Sequence, residues 1–109
     1  MAIIIKLTYK KPNTTPWFSQ TGGHVALSAS LSIPPAKALM SFNSWCKSQS
    51  GFIGVVTKLN DPNSISNFYV FDNEENAIKW NESRKEHPFQ LAQLTYFVMN
   101  DIEVSEEVL

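Results

Sequence analysis

The alternation of hydrophobic and polar positions along the chain predicts five strands. Residues 2–10 are rich in β-branched side chains, and residues 24–33 alternate with five apolar residues on one face. Residues 52–59 and 65–71 flank an Asn-Asp-Pro-Asn turn, which predicts a hairpin. Residues 95–104 predict a last strand, and the acidic tail that follows them is expected to fray.

Helical spacing predicts a first helix over residues 36–50. Two prolines precede it, and proline is tolerated in the first turn of a helix because its missing N–H is not needed there. Leu39, Phe42 and Cys46 recur at i, i+3 and i+7, so we expect them to share the buried face. Gly51 is placed to end the helix in the left-handed conformation.

A second helix is predicted over about residues 73–86. Its acidic first turn suits the positive end of the helix dipole, and Pro88 must end or kink it. With one early strand set aside, the order of elements predicts an α+β, ferredoxin-like fold, in which two helices cover one face of an antiparallel sheet. The extra N-terminal segment is either residues 24–33, as an added edge strand, or residues 2–10.

Composition narrows the class of protein. The 109 residues fit a single domain, 1–109, and the net charge of −1 argues against a nucleic-acid binder and against an anionic membrane surface. No apolar run approaches the roughly 18 residues of a spanning helix, and the first residues predict a strand instead of a signal peptide. Cys46 is the single cysteine, which indicates a reducing compartment, so we expect a cytoplasmic protein.

A set of motifs lies between residues 51 and 87. A Gly-aromatic pair opens a strand, Asp-Pro forms the hairpin turn, aromatic residues end the next strand, and an acidic helix carries alanine, tryptophan, serine and histidine. The matching residues are Gly51-Phe52, Asp61-Pro62, Phe68 to Phe71, Glu74 to Trp80, Ser83 and His87. This pattern resembles the antibiotic-biosynthesis-monooxygenase-like group, the dimeric α+β barrels. In that group the first strand runs almost directly into the first helix, whereas residues 11–33 intervene here.

The resemblance implies a homodimer whose two sheets face each other across a barrel, with a pocket in each subunit between sheet and helices. Members of the group include cofactor-free monooxygenases that act on electron-rich phenols. By the matching motif, His87 would be the catalytic residue that moves a substrate proton, and Trp80 would wall an aromatic pocket. The seven residues between them are about two helical turns, and Arg84 on the same face would hold an anionic or phenolate group.

Two interpretations of the chain stay open. In the first it binds a small aromatic molecule, or acts on one as a monooxygenase, without a cofactor or metal. In the second it is a non-enzymatic homo-oligomeric structural or regulatory module, with Trp80 as packing and His87 as a solvated helix end. Trp17 and Phe18 form either a lid or a cover over one end of the core, and we favour the cover. The two histidines lack the neighbouring ligands that a metal site needs.

Overall fold

The elements follow one another in an order that departs from the sequence prediction at two places. A computed structural model describes residues 2–109. In chain order the elements are β1 (Ile3–Lys10), β2 (Val25–Ala26), β3 (Ser32–Ile33), α1 (Pro35–Lys47), β4 (Phe52–Asp61), β5 (Ser64–Phe71), α2 (Glu74–Arg84), α3 (Pro88–Met99) and β6 (Glu103–Val108).

Four strands form an antiparallel sheet in the order β4-β5-β1-β6. This is the strand order of a ferredoxin-like fold, and the predicted fold class is confirmed. Because β1 lies in the interior of the sheet, residues 2–10 are the true first strand, and the segment after them is the addition. The molecule measures 40 × 36 × 18 Å, and the short dimension fits one sheet covered by one layer of helices.

Alternate side chains of the two interior strands face the helices. In β1 these include Ile5, Leu7 and Tyr9, all buried, and in β5 they include Tyr69, opposite Ile5, and Phe71. A strand with one covered face shows this period of two because successive side chains point to opposite sides of the sheet. The inward row is therefore the floor of the hydrophobic core.

The predicted strand over residues 24–33 is wrong. The segment folds back on itself as a small hairpin in which β2 pairs with β3, apart from the main sheet. The Leu27 N–H donates to the Leu31 carbonyl at 2.8 Å and closes the turn. The serine-rich centre favours a turn because serine hydroxyls bond the local backbone. Leu31 is 48% exposed, so the alternation does not mark one continuous buried face.

The predicted last strand over residues 95–104 is also wrong. Residues up to Met99 belong to α3, a third helix on the sheet, which starts at Pro88. Phe89 and Phe97 are buried, two turns apart, and Tyr96 packs against the core. The run over residues 95–99 favours a strand by propensity, yet its context is helical, and tertiary context overrides so weak a preference.

The acidic tail forms β6 and does not fray. Glu103 pairs with Lys10 and Val108 with Ile5, and the Leu109 N–H donates to the Ile4 carbonyl at 2.8 Å. Without β6, one side of β1 would expose its backbone N–H and C=O groups as an open edge. Backbone pairing therefore orders a segment whose side chains are mostly polar.

The link between α1 and β4 follows the prediction in part, since α1 ends at Lys47, three residues before the predicted end, and Gly51 is left-handed as expected. Gly51 has a φ of +76°, the left-handed conformation expected of it, and a Cβ there would collide with Asp72 Oδ1. Further along, Asn73 caps α2 by accepting from the Asn76 N–H at 2.9 Å. The second helix starts where predicted but ends at Arg84, two residues before the predicted end. Within residues 2–109, none of the helices is long and apolar enough to cross a membrane.

Candidate functional site

Trp80 lies in a filled part of the core. It is 1% exposed, and its ring centre lies 4.5 Å from that of Tyr69 and 5.2 Å from that of Phe71. The indole Nε1 donates to Cys46 Sγ at 3.3 Å, so its polar atom is also satisfied inside the protein. The indole therefore packs between α1 and the sheet, and it lines neither of the two cavities described below.

Arg84 is a buried cation at the end of α2. It is 8% exposed, and its guanidinium carbon lies 5.4 Å from the centre of the Trp80 ring, a cation–π contact. Nε donates to Asn81 Oδ1 at 2.8 Å, Nη1 to Gln90 Oε1 at 2.8 Å, and Nη2 to Glu106 Oε1 at 3.4 Å. The buried charge is thus held by two neutral amides and one longer ion pair.

His87 lies outside the helix that carries Trp80. It is the N-cap of α3, and its Nδ1 accepts from the Phe89 N–H at 3.1 Å. The imidazole packs edge-on against Phe42, with ring centres 5.1 Å apart, and against Trp45 at 5.3 Å. The expectation that His87 lies two turns along the same helix is therefore wrong. Burial lowers the pKa of His87 below its ordinary range, because the charged imidazolium loses solvation.

A cavity of about 340 Å³ opens beside this filled region. It lies between the sheet, α1, α3 and the short helical turn Phe18–Gln20, and none of Trp80, Arg84 and His87 lines it. Its walls are largely aromatic, and such walls fit flat apolar ligands. The aromatic lining residues are Tyr9, Trp17, Phe18, Tyr69, Phe89 and Phe97.

Polar side chains interrupt these aromatic walls. On the floor, Thr57 and Asn67 stand opposite each other in the β4-β5 hairpin, and the Thr57 hydroxyl donates to Asn67 Oδ1 at 2.7 Å. On the helical side, Asn43 of α1 and Gln93 of α3 reach the same space. A few polar groups set in an apolar cavity are the usual means of orienting a small ligand.

Two tyrosines of the cavity stay protonated. Burial raises the pKa of Tyr9 to about 12, and burial raises the pKa of Tyr69 further, while the Arg84 charge and Asn67 oppose both shifts. The phenol hydroxyls therefore remain hydrogen-bond donors across the physiological range of pH. A ligand oxygen that carries negative charge would be a suitable acceptor for them.

The segment over residues 17–20 covers one side of the cavity. The Tyr96 hydroxyl donates to the Pro16 carbonyl at 2.7 Å, and the Phe18 ring contacts Tyr96 at 5.3 Å between centres. Lys11 Nζ lies 5.5 Å from the centre of the Trp17 ring. Both residues line the cavity, and Phe18 is also buried in the core, so the pair is both cover and wall.

A second cavity of about 240 Å³ lies on the other side of α3. Arg84, Lys85 and Glu106 supply its charged groups, and Leu94 and Val104 are among its apolar walls. This is the cavity that Arg84 reaches.

The side chains of residues 2–109 do not favour metal binding or a reactive thiol. Within residues 2–109, no group of three or more His, Cys, Asp or Glu side chains is placed to hold a metal ion. Cys46 is buried, and burial raises the pKa of its thiol to about 11. A nucleophilic cysteine needs a lowered thiol pKa and access to substrate.

Sequence reasoning did not assign most of the residues that line the 340 Å³ cavity. Tyr9 and Asn67 occupy inward positions of their strands, and a polar residue in an inward row was the signal that could have marked Asn67. Gln93 belongs to a helix that the sequence did not predict. The hydrogen-bonded chain from Arg84 through Gln90 to Gln93 forms only because α3 packs against α2.

No protein-family model matches the sequence, and no match was found among curated proteins. Solved structures do match the fold over nearly the whole chain. SnoaB from Streptomyces nogalater, a cofactor-independent oxygenase, has a TM-score of 0.54 at 12% identity, covering 99% of this chain and 90% of that one. A conserved protein of unknown function from Bacteroides thetaiotaomicron has a TM-score of 0.57 at 9% identity, with 99% and 95% covered.

A proposed antibiotic biosynthesis monooxygenase from Nitrosomonas europaea has a TM-score of 0.54 at 9% identity. It covers 98% of this chain, and 88% of its own length is matched. At these identities the likeness concerns the fold, since the same fold can carry unrelated functions. The chain has the fold of the dimeric α+β barrel group, to which antibiotic biosynthesis monooxygenases belong.

Proposed function

We propose that the chain binds a small hydroxylated aromatic molecule in the 340 Å³ cavity and oxidises it as a cofactor-independent monooxygenase. The observation that carries this proposal is the cavity itself, with aromatic walls and a few polar groups, next to the sheet. Its volume lies within the range of small-molecule sites. The fold is shared with SnoaB, which is a cofactor-independent oxygenase, and this likeness agrees with the proposal without carrying it.

The reaction requires that the substrate act as the reductant. An electron-rich phenol loses its hydroxyl proton, and the phenolate passes electrons to dioxygen. In the overall conversion of a phenol to a quinone, one oxygen atom enters the ring carbon. The second oxygen atom leaves as water, together with the hydrogen from that ring carbon and the hydrogen from the hydroxyl group. The protein's task is to favour the phenolate and to hold the ring. Protonated Tyr9 and Tyr69 can stabilise the phenolate by donating hydrogen bonds to its oxygen.

We propose roles for Trp80, Arg84 and His87 that differ from the roles predicted from the sequence. His87 packs on Phe42, whose ring is stacked on cavity-lining Phe89 with centres 5.6 Å apart. Trp80 packs in the same way behind Tyr69. We propose that these residues support the walls of the cavity from one layer behind, and that they do not touch the ligand.

Calorimetric titration with 2-naphthol tests the binding step. Leu39→Trp fills the cavity from α1, whereas Met40→Trp adds the same side chain one position on, where the residue is 68% exposed. We expect Leu39→Trp to weaken binding by more than about tenfold, and Met40→Trp to bind as the wild type does. Equal binding by both variants, or none by the wild type, would contradict the proposal.

Dioxygen consumption tests the reaction step with the same pair of variants. An electron-rich naphthalenediol should consume dioxygen faster with the wild type and with Met40→Trp than with Leu39→Trp. Binding without a protein-dependent rate would leave a ligand-binding protein and exclude the monooxygenase. The ratio of dioxygen consumed to quinone formed should be one, because the substrate supplies all the electrons.

A homo-oligomeric module is the second candidate, and the uncovered face of the sheet favours it. Ile4, Phe68 and Val70 are half-buried there, and Val56 is 61% exposed. We propose a homodimer that covers this apolar patch, because an exposed apolar face of a sheet is usually an interface. Light scattering at micromolar concentration should give twice the chain mass, and Val56→Lys should lower it. A monomeric mass for the wild type would contradict the dimer.

A further inference from the structure

The two cavities share one wall. Tyr9, Gln93 and Phe97 line both of them, so Gln93 stands between the larger cavity and the smaller one that contains Arg84. The Tyr9 and Phe97 rings are in contact, with centres 5.3 Å apart. Gln93 is thus the flexible polar member of a wall that is otherwise aromatic.

A hydrogen-bonded chain connects this wall to the buried cation. Arg84 Nη1 donates to Gln90 Oε1 at 2.8 Å, and Gln90 Nε2 donates to Gln93 Oε1 at 3.2 Å. Arginine has only donors, so the Gln90 atom that faces it must be the carbonyl oxygen. The Gln90 nitrogen then faces Gln93, which must present its own oxygen in return. The orientation of both amides therefore follows from Arg84 and does not depend on how each amide is assigned.

The consequence is a donor at the shared wall. With its oxygen engaged by Gln90, Gln93 has Nε2 left over, and no hydrogen bond within residues 2–109 takes up these N–H groups. Since every fully buried side-chain N or O atom described has a partner, this nitrogen keeps accessible surface. While the chain from Arg84 is intact, the polar group of this amide that is left without a partner is the Nε2 donor.

The local charge agrees in sign with such a donor. Arg84 and Lys85 outnumber Glu106 around the smaller cavity by one positive charge, and the Arg84–Glu106 contact is a long 3.4 Å. Burial raises the pKa of Tyr9 and Tyr69, and the Arg84 charge acts against that rise at both. The cation therefore acts across the wall on oxygen atoms of the larger cavity.

We propose that Gln93 Nε2 binds the oxygen of the ligand and that the larger cavity takes a phenol in its ionised form, as the phenolate. Arg84 is a positioning residue in this arrangement, because it acts through Gln90 and Gln93 and not on the ligand. This inference rests on the proposed function only in requiring an aromatic ligand in the larger cavity. The proton of the phenol passes to solvent.

Two probes of similar shape test the proposal. 4-Nitrophenol changes its visible absorbance on ionisation, and nitrobenzene has the same ring and nitro group without the hydroxyl. We expect both probes to bind the wild type. The apparent pKa of bound 4-nitrophenol should be about one unit below that of free 4-nitrophenol. Binding of nitrobenzene with an unchanged or raised pKa of bound 4-nitrophenol would overturn the inference while leaving the cavity as a binding site. Binding of neither probe would overturn both proposals.

Substitutions at Gln90 separate the donor from the packing. Gln90→Glu keeps the size and still accepts from Arg84, but it has no N–H for Gln93. Gln93 must then turn its nitrogen toward the new carboxylate and its oxygen toward the cavity, so the preference should reverse and the bound pKa should rise above that of free 4-nitrophenol. Gln90→Met breaks the chain without adding charge, and the shift should then be lost without reversing.

Gln93→Met completes the series. It removes the donor at similar length, so nitrobenzene should bind as it does to the wild type while the downward shift for 4-nitrophenol disappears. A shift that survives in Gln93→Met would assign phenolate binding to Tyr9 and Tyr69 and overturn the role of Gln93. A shift that survives unchanged in Gln90→Glu would overturn the role of Arg84.

Discussion

The layer between the sheet and the helices has two halves that differ in packing. In the filled half, around Cys46, Phe71 and Trp80, side chains are nearly inaccessible. In the open half, around Val55 and Asn67, the same sheet borders the cavity. Both halves stand on the same strands with the same alternation, so the period of the pattern does not decide which half is open.

The size and polarity of the inward residues decide which half of the layer is open. Along the β4-β5 hairpin, the cross-strand pair at the filled end is Phe52 with Phe71, and the pair at the open end is Thr57 with Asn67. Two aromatic rings fill the space above the sheet, whereas a hydroxyl and an amide leave room and must satisfy each other. A residue in the filled half is therefore expected to affect stability, and one in the open half to affect binding.

The largest expected effect is the loss of Trp80. Trp80→Ala removes the largest fully buried side chain and should lower the free energy of unfolding by about 3–5 kcal/mol. Leu39→Ala, on the wall of the open half, should cost about 1 kcal/mol, the average for substitutions. Chemical denaturation of the two variants measures the difference. Similar losses in both would show that the open half carries as much of the stability as the filled half.

The next effect concerns the indole N–H inside the filled half. Cys46→Ala removes the acceptor of Trp80 Nε1 and leaves a buried donor unpaired, which should cost about 1–3 kcal/mol. Cys46→Ser keeps an acceptor at the same position and should cost less. Urea denaturation with Cys46→Ala and Cys46→Ser measured side by side checks this order. A serine variant as unstable as the alanine variant would mean that the bond to sulfur contributes little.

The smallest effect is a pH dependence at the border between the halves. Because the pKa of folded His87 is lowered by burial, the unfolded chain binds more protons near the ordinary pKa of histidine. Stability should fall as the pH is lowered from about 7 to about 5, where unfolded histidine becomes charged. His87→Asn keeps an N-cap without a titrating ring and should make the unfolding free energy less dependent on pH in this window. If the unfolding free energies of wild type and variant depended equally steeply on pH, His87 would not be the group that causes the dependence.

Much of the fold was accessible from the sequence because local chemistry and tertiary structure agree there. The strand at residues 2–10, the hairpin over 52–71, the first helix and the left-handed Gly51 were predicted and are present. Each has a strong local signal, in periodicity, turn residues or a helix stop. Where the local signal was weak or misleading, as at residues 24–33 and 95–104, the prediction failed.

The candidate site was less accessible, for a physical reason. The predicted residues Trp80 and His87 belong to a motif in sequence, and motif residues can serve packing as well as chemistry. The cavity is lined by residues of β1, β4, β5, α1 and α3 and by the segment over residues 17–20, which are far apart in the chain and which only the tertiary structure brings together. Asn67 gave a signal in its inward position, and Gln93 gave none.

The sequence by itself determined the α+β class, the alternation that buries one face of the sheet, and the approximate positions of β1, α1, the β4-β5 hairpin and α2. These follow from local periodicity and from turn and cap residues, which act over a few positions. Only the tertiary structure decided that the tail becomes β6, since that requires the unpaired edge of β1. Only it placed Gln90 between Arg84 and Gln93, because a hydrogen-bonded chain across two helices depends on how those helices pack.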